Sequence, residues 1–210
     1  MKMEKSFLLF VLGATNVGKS TFLEKVKQAY STDVHLIEVG KMLRAKYPPG
    51  HFQGQGAPAH TQNEAIDLLC HGINMGEQLG SKYIIVDGQP RNVGQAESIM
   101  GWAPWPRSPH RIRAVVELVC PRAERERKAL ARDVDPDRKK LALDRLDRDV
   151  LDLHEVLISF TRYEIHRFNT GRETYSPVGA FQRVLREYGA IQEPGPEFMD
   201  TFPLPKRAVL

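Results

Sequence analysis

The stretch Phe7-Leu8-Leu9-Phe10-Val11-Leu12-Gly13-Ala14-Thr15-Asn16-Val17-Gly18-Lys19-Ser20-Thr21 decides the fold. Its first six residues are uniformly apolar, which predicts a strand buried on both faces, as in a parallel sheet covered by helices. Gly13 to Ser20 then satisfies G-x-x-x-x-G-K-[ST]. From Lys19 the spacing turns helical, with Phe22, Leu23, Val26 and Ala29 three or four apart. Strand, glycine-bounded loop and helix is the context in which this motif binds phosphate. The end glycines let the backbone turn its N–H groups onto phosphate oxygens. The helix N-terminus beneath adds the positive end of its dipole. Lys19 is expected to reach the β- and γ-phosphates of a triphosphate, and the Ser20 hydroxyl to ligate Mg²⁺.

Working outward, short apolar runs alternate with amphipathic stretches. Strands are predicted at Val34 to Val39, Tyr83 to Val86, Arg113 to Val119 and Tyr163 to Asn169. Helices are predicted at Lys41 to Lys46, ended by Pro48-Pro49-Gly50, and from about Gln62 to Leu79. The second has Ile66, Leu69, Ile73 and Met75 or Gln78 on its inner side. The charged block from Pro121 to about Asp149 reads as helical, broken near Asp133-Val134-Asp135-Pro136 and resuming to about Thr161. Ser176-Pro177 reads as an N-cap with proline at the first helical position, opening a helix that Gly189 closes. Strands separated by helices predict an α/β fold, a three-layer α/β/α arrangement around a five-stranded parallel sheet.

The composition agrees. The 210 residues fit one domain, or one domain with a small insert. With 41% hydrophobic and 27% charged residues the chain has the balance of a soluble globular protein, not a disordered one. No run approaches the roughly 18 apolar residues that span a membrane, and the apolar run at Phe7 ends in a glycine turn instead of a signal cleavage site. Cys70 and Cys120 offer neither a disulfide framework nor metal-ligand spacing, which suits a cytoplasmic setting. A net charge of +4 fits polyanionic partners, from nucleotides to nucleic acid, without choosing among them.

Three further segments narrow the reading. They are Ile37-Glu38-Val39-Gly40-Lys41-Met42-Leu43-Arg44, Val86-Asp87-Gly88-Gln89-Pro90-Arg91-Asn92-Val93-Gly94-Gln95-Ala96, and Phe168-Asn169-Thr170-Gly171 followed by Ser176-Pro177-Val178-Gly179-Ala180-Phe181. In order and approximate spacing, from residue 7 to about 188, the chain resembles the adenylate kinase and nucleoside monophosphate kinase family, in a short-lid form. The D-G-x-P-R-x-x-x-Q-A match is much more specific than the phosphate loop. The resemblance implies ATP as phosphoryl donor, held by Gly13, Ala14, Thr15, Asn16, Val17, Gly18, Lys19, Ser20, Thr21, Lys128 and Gly171. It implies Mg²⁺ held by Ser20 and, through water, Asp87. The acceptor would be a nucleoside monophosphate bound by Arg44, Gly88, Gln89, Arg91 and Gln95, the two arginines taking its phosphate in bidentate fashion. It also implies a kinase domain over residues 1–190, with an acceptor-binding insert at about 40–80 and a lid at about 122–148. Residues 191–210 are left as a proline-rich tail.

Lys19, Arg91, Arg132 and Arg145 are the implied catalytic residues, with Arg138 and Arg148 as rivals to Arg145. Added positive charge and exclusion of water are what such a lid contributes to phosphoryl transfer. The lid region has no zinc-type cysteines, which excludes a long metal-bound lid. Three acceptor-side positions depart from the family: Gln89 replaces a phenylalanine, Lys41 replaces a carboxylate, and Tyr47 to Thr61 is rich in glycine, histidine and glutamine. ATP and Mg²⁺ use is thus the firmer implication, and the acceptor extends to pyrimidine or modified deoxynucleotides. Two alternatives stand beside this reading. One is a P-loop kinase acting on a nucleic-acid end or small metabolite, for which the Trp102/Trp105 loop would stack bases. The other is a nucleotide-binding protein without turnover, which Lys41 favours.

Overall fold

Phe7–Leu12 forms β1, buried along its whole length. The computed structural model describes residues 6–47, 60–101, 112–132, 135–161 and 163–189, apart from the side chains at 60, 101, 112, 113, 132, 137 and 138. After β1 come α1 (Lys19–Ala29), β2 (Val34–Ile37), α2 (Val39–Lys46), α3 (His60–Gln78), β3 (Tyr83–Asp87) and α4 (Val93–Gly101). They are followed by β4 (Ile112–Val119), α5 (Arg122–Arg132), α6 (Pro136–Ser159), β5 (Ile165–Asn169) and α7 (Pro177–Glu187). The five strands make one parallel sheet in the order β2-β3-β1-β4-β5. This is the predicted P-loop α/β/α fold.

Alternate residues of β1 feed two cores, as the period of two in a strand requires. Phe7, Leu9 and Val11 pack with α1 and α7 through Phe22, Val26, Phe181 and Val184. Leu8, Phe10 and Leu12 pack on the opposite face against Leu43, Leu69, Ile73, Ile99, Val156 and Phe160, from helices α2, α3, α4 and α6 and the residue after α6. On the first face Tyr30, Tyr83 and Phe181 meet edge to face, with ring centroids 5.2 to 5.7 Å apart, which fixes α1 and α7 against β3.

The inner face of α3 differs from expectation. Ala65, Leu69 and Ile73 are buried, whereas Met75 is 41% exposed and Gln78 is on the surface. The apolar count missed two glycines. A Cβ on Gly72 would lie 2.9 Å from Ile37, and one on Gly76 would lie 2.9 Å from both His35 and Ile84. The helix approaches the sheet through side-chain-free positions, which turns Met75 outward.

The register of the sheet positions the site. Asp87, last in β3, pairs with Val11 of β1, and the Gly88 amide donates to Val11 O at 3.0 Å. The Asp87-Gly88 pair therefore emerges beside the start of the glycine loop. The break expected near 133–136 falls between α5 and α6, although residues 133 and 134 lie outside the described set. Buried Arg125 joins the two helices by donating from Nη1 to Leu146 O at 3.1 Å.

Candidate functional site

The loop between β1 and α1 has the backbone its glycines predict. Gly13 has φ 156°, Asn16 63° and Gly18 96°. At Gly13 a Cβ would stand 2.8 Å from both Leu118 O and Val17 Cγ2, so the residue is required for space as well as for conformation. Lys19 folds back over the loop and donates from Nζ to Gly13 O and, at 3.0 Å, to Ala14 O. α1 begins at Lys19 without a side-chain cap and without an acid in its first turn. Its leading N–H groups and dipole thus face the loop, with Ser20 and Thr21 exposed on that turn. The Thr170 hydroxyl lies 2.5 Å from Val17 O and 3.3 Å from Val119 O, stitching the segment after β5 to the loop. Gly171 follows so closely against Pro121 that a Cβ there would lie 2.8 Å from the ring.

On the other side of the loop, Arg44 and Arg91 converge. A Cβ placed on Gly40, in the first turn of α2, would meet Arg91 Nη2 at 3.1 Å and Arg44 Nη1 at 3.5 Å. The two guanidinium groups therefore share one small backbone surface, although 47 residues separate them in sequence. Gln95 is buried and turns its Oε1 to the Arg91 backbone amide at 2.8 Å, while Asn92 Oδ1 accepts from Gln95 N at 2.9 Å. Part of Gln95 is thus committed to holding the Arg91 turn. Gln89 is buried, and its Oε1 has no hydrogen-bond partner among the described residues. Lys41 pairs with Glu38 at 2.7 Å and is 68% exposed, and both charges reach Asp87 in opposite senses, Glu38 raising its pKa and Lys41 lowering it. Residues 48–59 lie outside the described set, as do Trp102 and Trp105.

Burial and like charge shift the groups between these two sides. Burial lowers the Lys19 pKa; Asp87 opposes this, while Arg91 and Arg145 add to it. Arg91 shows surface to the cleft, yet protein atoms crowd it enough that desolvation lowers its pKa first, followed by Arg145 and Arg44. Burial raises the Asp87 carboxyl, against the attraction of Lys19. Its Oδ1 is fully buried and accepts no hydrogen bond among the described residues. An orphaned, desolvated carboxylate oxygen within electrostatic reach of Lys19 is a hard donor of the type Mg²⁺ takes, directly or through its water. That donor set fits the ion.

The charged block brings one further arginine to the site. Arg145 is close enough to Lys19 and Arg91 to depress both, and its Nε donates to Asp149 Oδ1 at 3.2 Å. Lys128 lies beside Cys120 Sγ at 3.8 Å and Glu124 at 3.5 Å. Arg148 is turned back onto Asp144 O at 3.3 Å, and Arg122 pairs with Asp147 at 3.0 Å. The side chains of Arg132 and Arg138 lie outside the described set. Three residues at the site had no sequence signal pointing to them: Gly40, Thr170 and Asp149. The first two stand within the quoted segments, but Gly40 has no side chain to read and the Thr170 hydroxyl meets backbone carbonyls that no motif foretells. Asp149 is one acid among many in a charged helix.

A family model described as an AAA domain matches residues 12–146, more than half of the chain. Over 106 residues the chain is 33% identical to adenylate kinase isoenzyme 1 of Sus scrofa and 32% identical to that of Bos taurus, the match covering 46% of this chain and 52% of each relative. The same isoenzyme of Homo sapiens is 31% identical over 107 residues, with equal coverage. The chain spans about half the length of the curated relatives it matches. Among the described residues no helix is long and apolar enough to cross a membrane.

Proposed function

Since the chain belongs to the AAA domain family, in an adenylate kinase-like form, we propose that it transfers the γ-phosphoryl group of ATP to a nucleoside or deoxynucleoside monophosphate, giving ADP and the diphosphate. The observation that carries this is the pair Arg44 and Arg91, converging on Gly40 on the opposite side of Lys19 and Asp87 from the donor segments. A triphosphate-binding loop needs one cradle, and a second pair of cations beside it supports a second phosphate.

In this reading Lys19 and the loop amides bind the donor phosphates. Ser20 and Asp87 would hold Mg²⁺, which would supply positive charge to the transferred group. Arg44 and Arg91 orient the acceptor phosphate, with Gln95 fixing the Arg91 turn. Gln89 offers an unpaired amide oxygen to the acceptor, and Arg145 brings charge from α6. Lys128 and Gly171 border the donor base. Phosphoryl transfer depends on positioning and electrostatics more than on covalent help, and these residues supply both. Pairing with Glu38 offsets the Lys41 charge, which supports turnover over a nucleotide-binding role without it.

A coupled ADP-release assay across the ribo- and deoxynucleoside monophosphates tests the proposal. Turnover with at least one acceptor is expected, abolished in Lys19→Ala. In Arg91→Ala the acceptor KM should rise at least tenfold while ATP affinity changes little. Tight ATP binding without turnover on any monophosphate would overturn the reading.

A further inference from the structure

Asp149 lies in the fourth turn of α6, and its carboxylate reaches into the glycine loop. Its Oδ2 accepts from the Thr15 backbone N–H at 3.3 Å and from the Thr15 hydroxyl. Its other oxygen accepts from Arg145 Nε at 3.2 Å. The charge of Asp149 acts on both Lys19 and Arg91. An acid therefore sits among the cations of the cradle, on a loop donor that a phosphate oxygen would use. Two anionic oxygens cannot share that N–H at contact distance, because like charges in a partly desolvated cleft repel strongly.

We propose that Asp149 is a built-in occupant of the phosphate cradle, which a nucleoside triphosphate must displace, so that it sets donor affinity and holds Arg145 in reserve. This rests on the reading of Gly13 to Ser20 as the triphosphate loop. Leu146, one turn earlier on the same helix, is fully buried, and its carbonyl is bonded to Arg125. The helix is thus anchored at that turn, and displacement is a rotation of the Asp149 side chain. Rotation breaks the Thr15 and Arg145 contacts together, so entry of the triphosphate also releases the arginine to turn towards the phosphoryl group.

The test is calorimetric binding of Mg-ATP to the full chain, without acceptor, in wild type, Asp149→Asn, Asp149→Ala and the control Asp152→Asn. Removing the competing carboxylate should tighten ATP binding about tenfold, the size of one charge-assisted hydrogen bond. Thermal unfolding of the ligand-free Asp149 variants should at the same time move to lower temperature. Affinity and stability moving in opposite directions is the signature, since a merely structural residue would lose both. Asp152→Asn removes the same charge one turn-fraction further along and should change affinity by less than about twofold. Unchanged or weaker binding in both Asp149 variants overturns the proposal, as does an equal gain in Asp152→Asn, which would mean long-range charge alone. The near-isosteric asparagine keeps the test decisive if the alanine variant folds poorly. Absence of ATP binding in all four proteins would instead overturn the reading of the loop, and this inference with it.

Discussion

At Gly40 the lack of a side chain sets how closely two cations approach the first turn of α2. A methyl group there would stand 3.1 Å from Arg91 Nη2, a contact that the flexible guanidinium relieves by moving a few tenths of an ångström. Alanine also favours the helix by up to about 1 kcal/mol over glycine, so the crowding and the propensity gain nearly offset. Gly40→Ala should therefore leave the unfolding midpoint within about 2 °C of wild type. The acceptor-monophosphate KM should rise about tenfold, because small misplacements of a phosphate clamp are costly in catalysis. Initial-rate titrations of the acceptor check this, and an unchanged KM would mean that the arginine pair holds something else. Gly40 also shows where sequence reading stops. Arg44 and Arg91 were legible as candidates because they stand in the segments that resemble the kinase family, but the surface on which they meet is a residue without a side chain, visible only in the distances.

Among the elements, α7 was readable at both ends because each end has its own local chemistry. Ser176 Oγ accepts from Gly179 N at 3.1 Å, Pro177 opens the first turn, and Gly189 follows the helix at φ 65°. The strands were readable for a different reason: burial on both faces leaves uninterrupted apolar runs, so β1 and β3 begin where the sequence predicts. Two elements were less legible. β2 ends at Ile37 and α2 begins at Val39, earlier than Lys41, because Val39 is buried from the helix and continues the apolar run of the strand. The segment Val93–Gly101 has a short, mixed apolar pattern and gave no periodic signal, yet Asn92 caps it. The cap of α7 permits a direct test. Ser176→Ala should cost about 1 kcal/mol, lowering the midpoint by about 2–4 °C in a chain of this size. The denaturant m-value should stay unchanged, since the same surface is buried. A loss below about 0.3 kcal/mol would mean that the packing of Phe181 and Val184 alone holds the helix end.

For the molecule as a whole, the phosphate cradle is the place where folding and binding oppose each other. Burial lowers the pKa of Lys19 and of Arg91, Arg145 adds to both and Arg91 to that of Lys19, and Asp87 and Asp149 compensate only in part. A net charge of +4 does nothing to relieve this. A polyanion that enters the cradle restores to these groups what burial and mutual repulsion remove, so binding should stabilise the fold strongly. At a free ATP concentration of about 100 times Kd the linkage is about 2.7 kcal/mol, which in a chain of this length is roughly 5–10 °C. Inorganic tripolyphosphate should give a shift of the same sign, since the loop recognises phosphate before it recognises a base. Because the cleft is open enough for ions to screen it, both shifts at fixed ligand should shrink as salt rises from about 0.1 to 1 M, where the screening length falls from about 10 to about 3 Å. Differential scanning fluorimetry of wild type and Lys19→Ala separates the cradle from the general basic surface. A tripolyphosphate shift that survives in Lys19→Ala would assign the binding to the scattered surface cations, and the charge surplus would then be nonspecific after all.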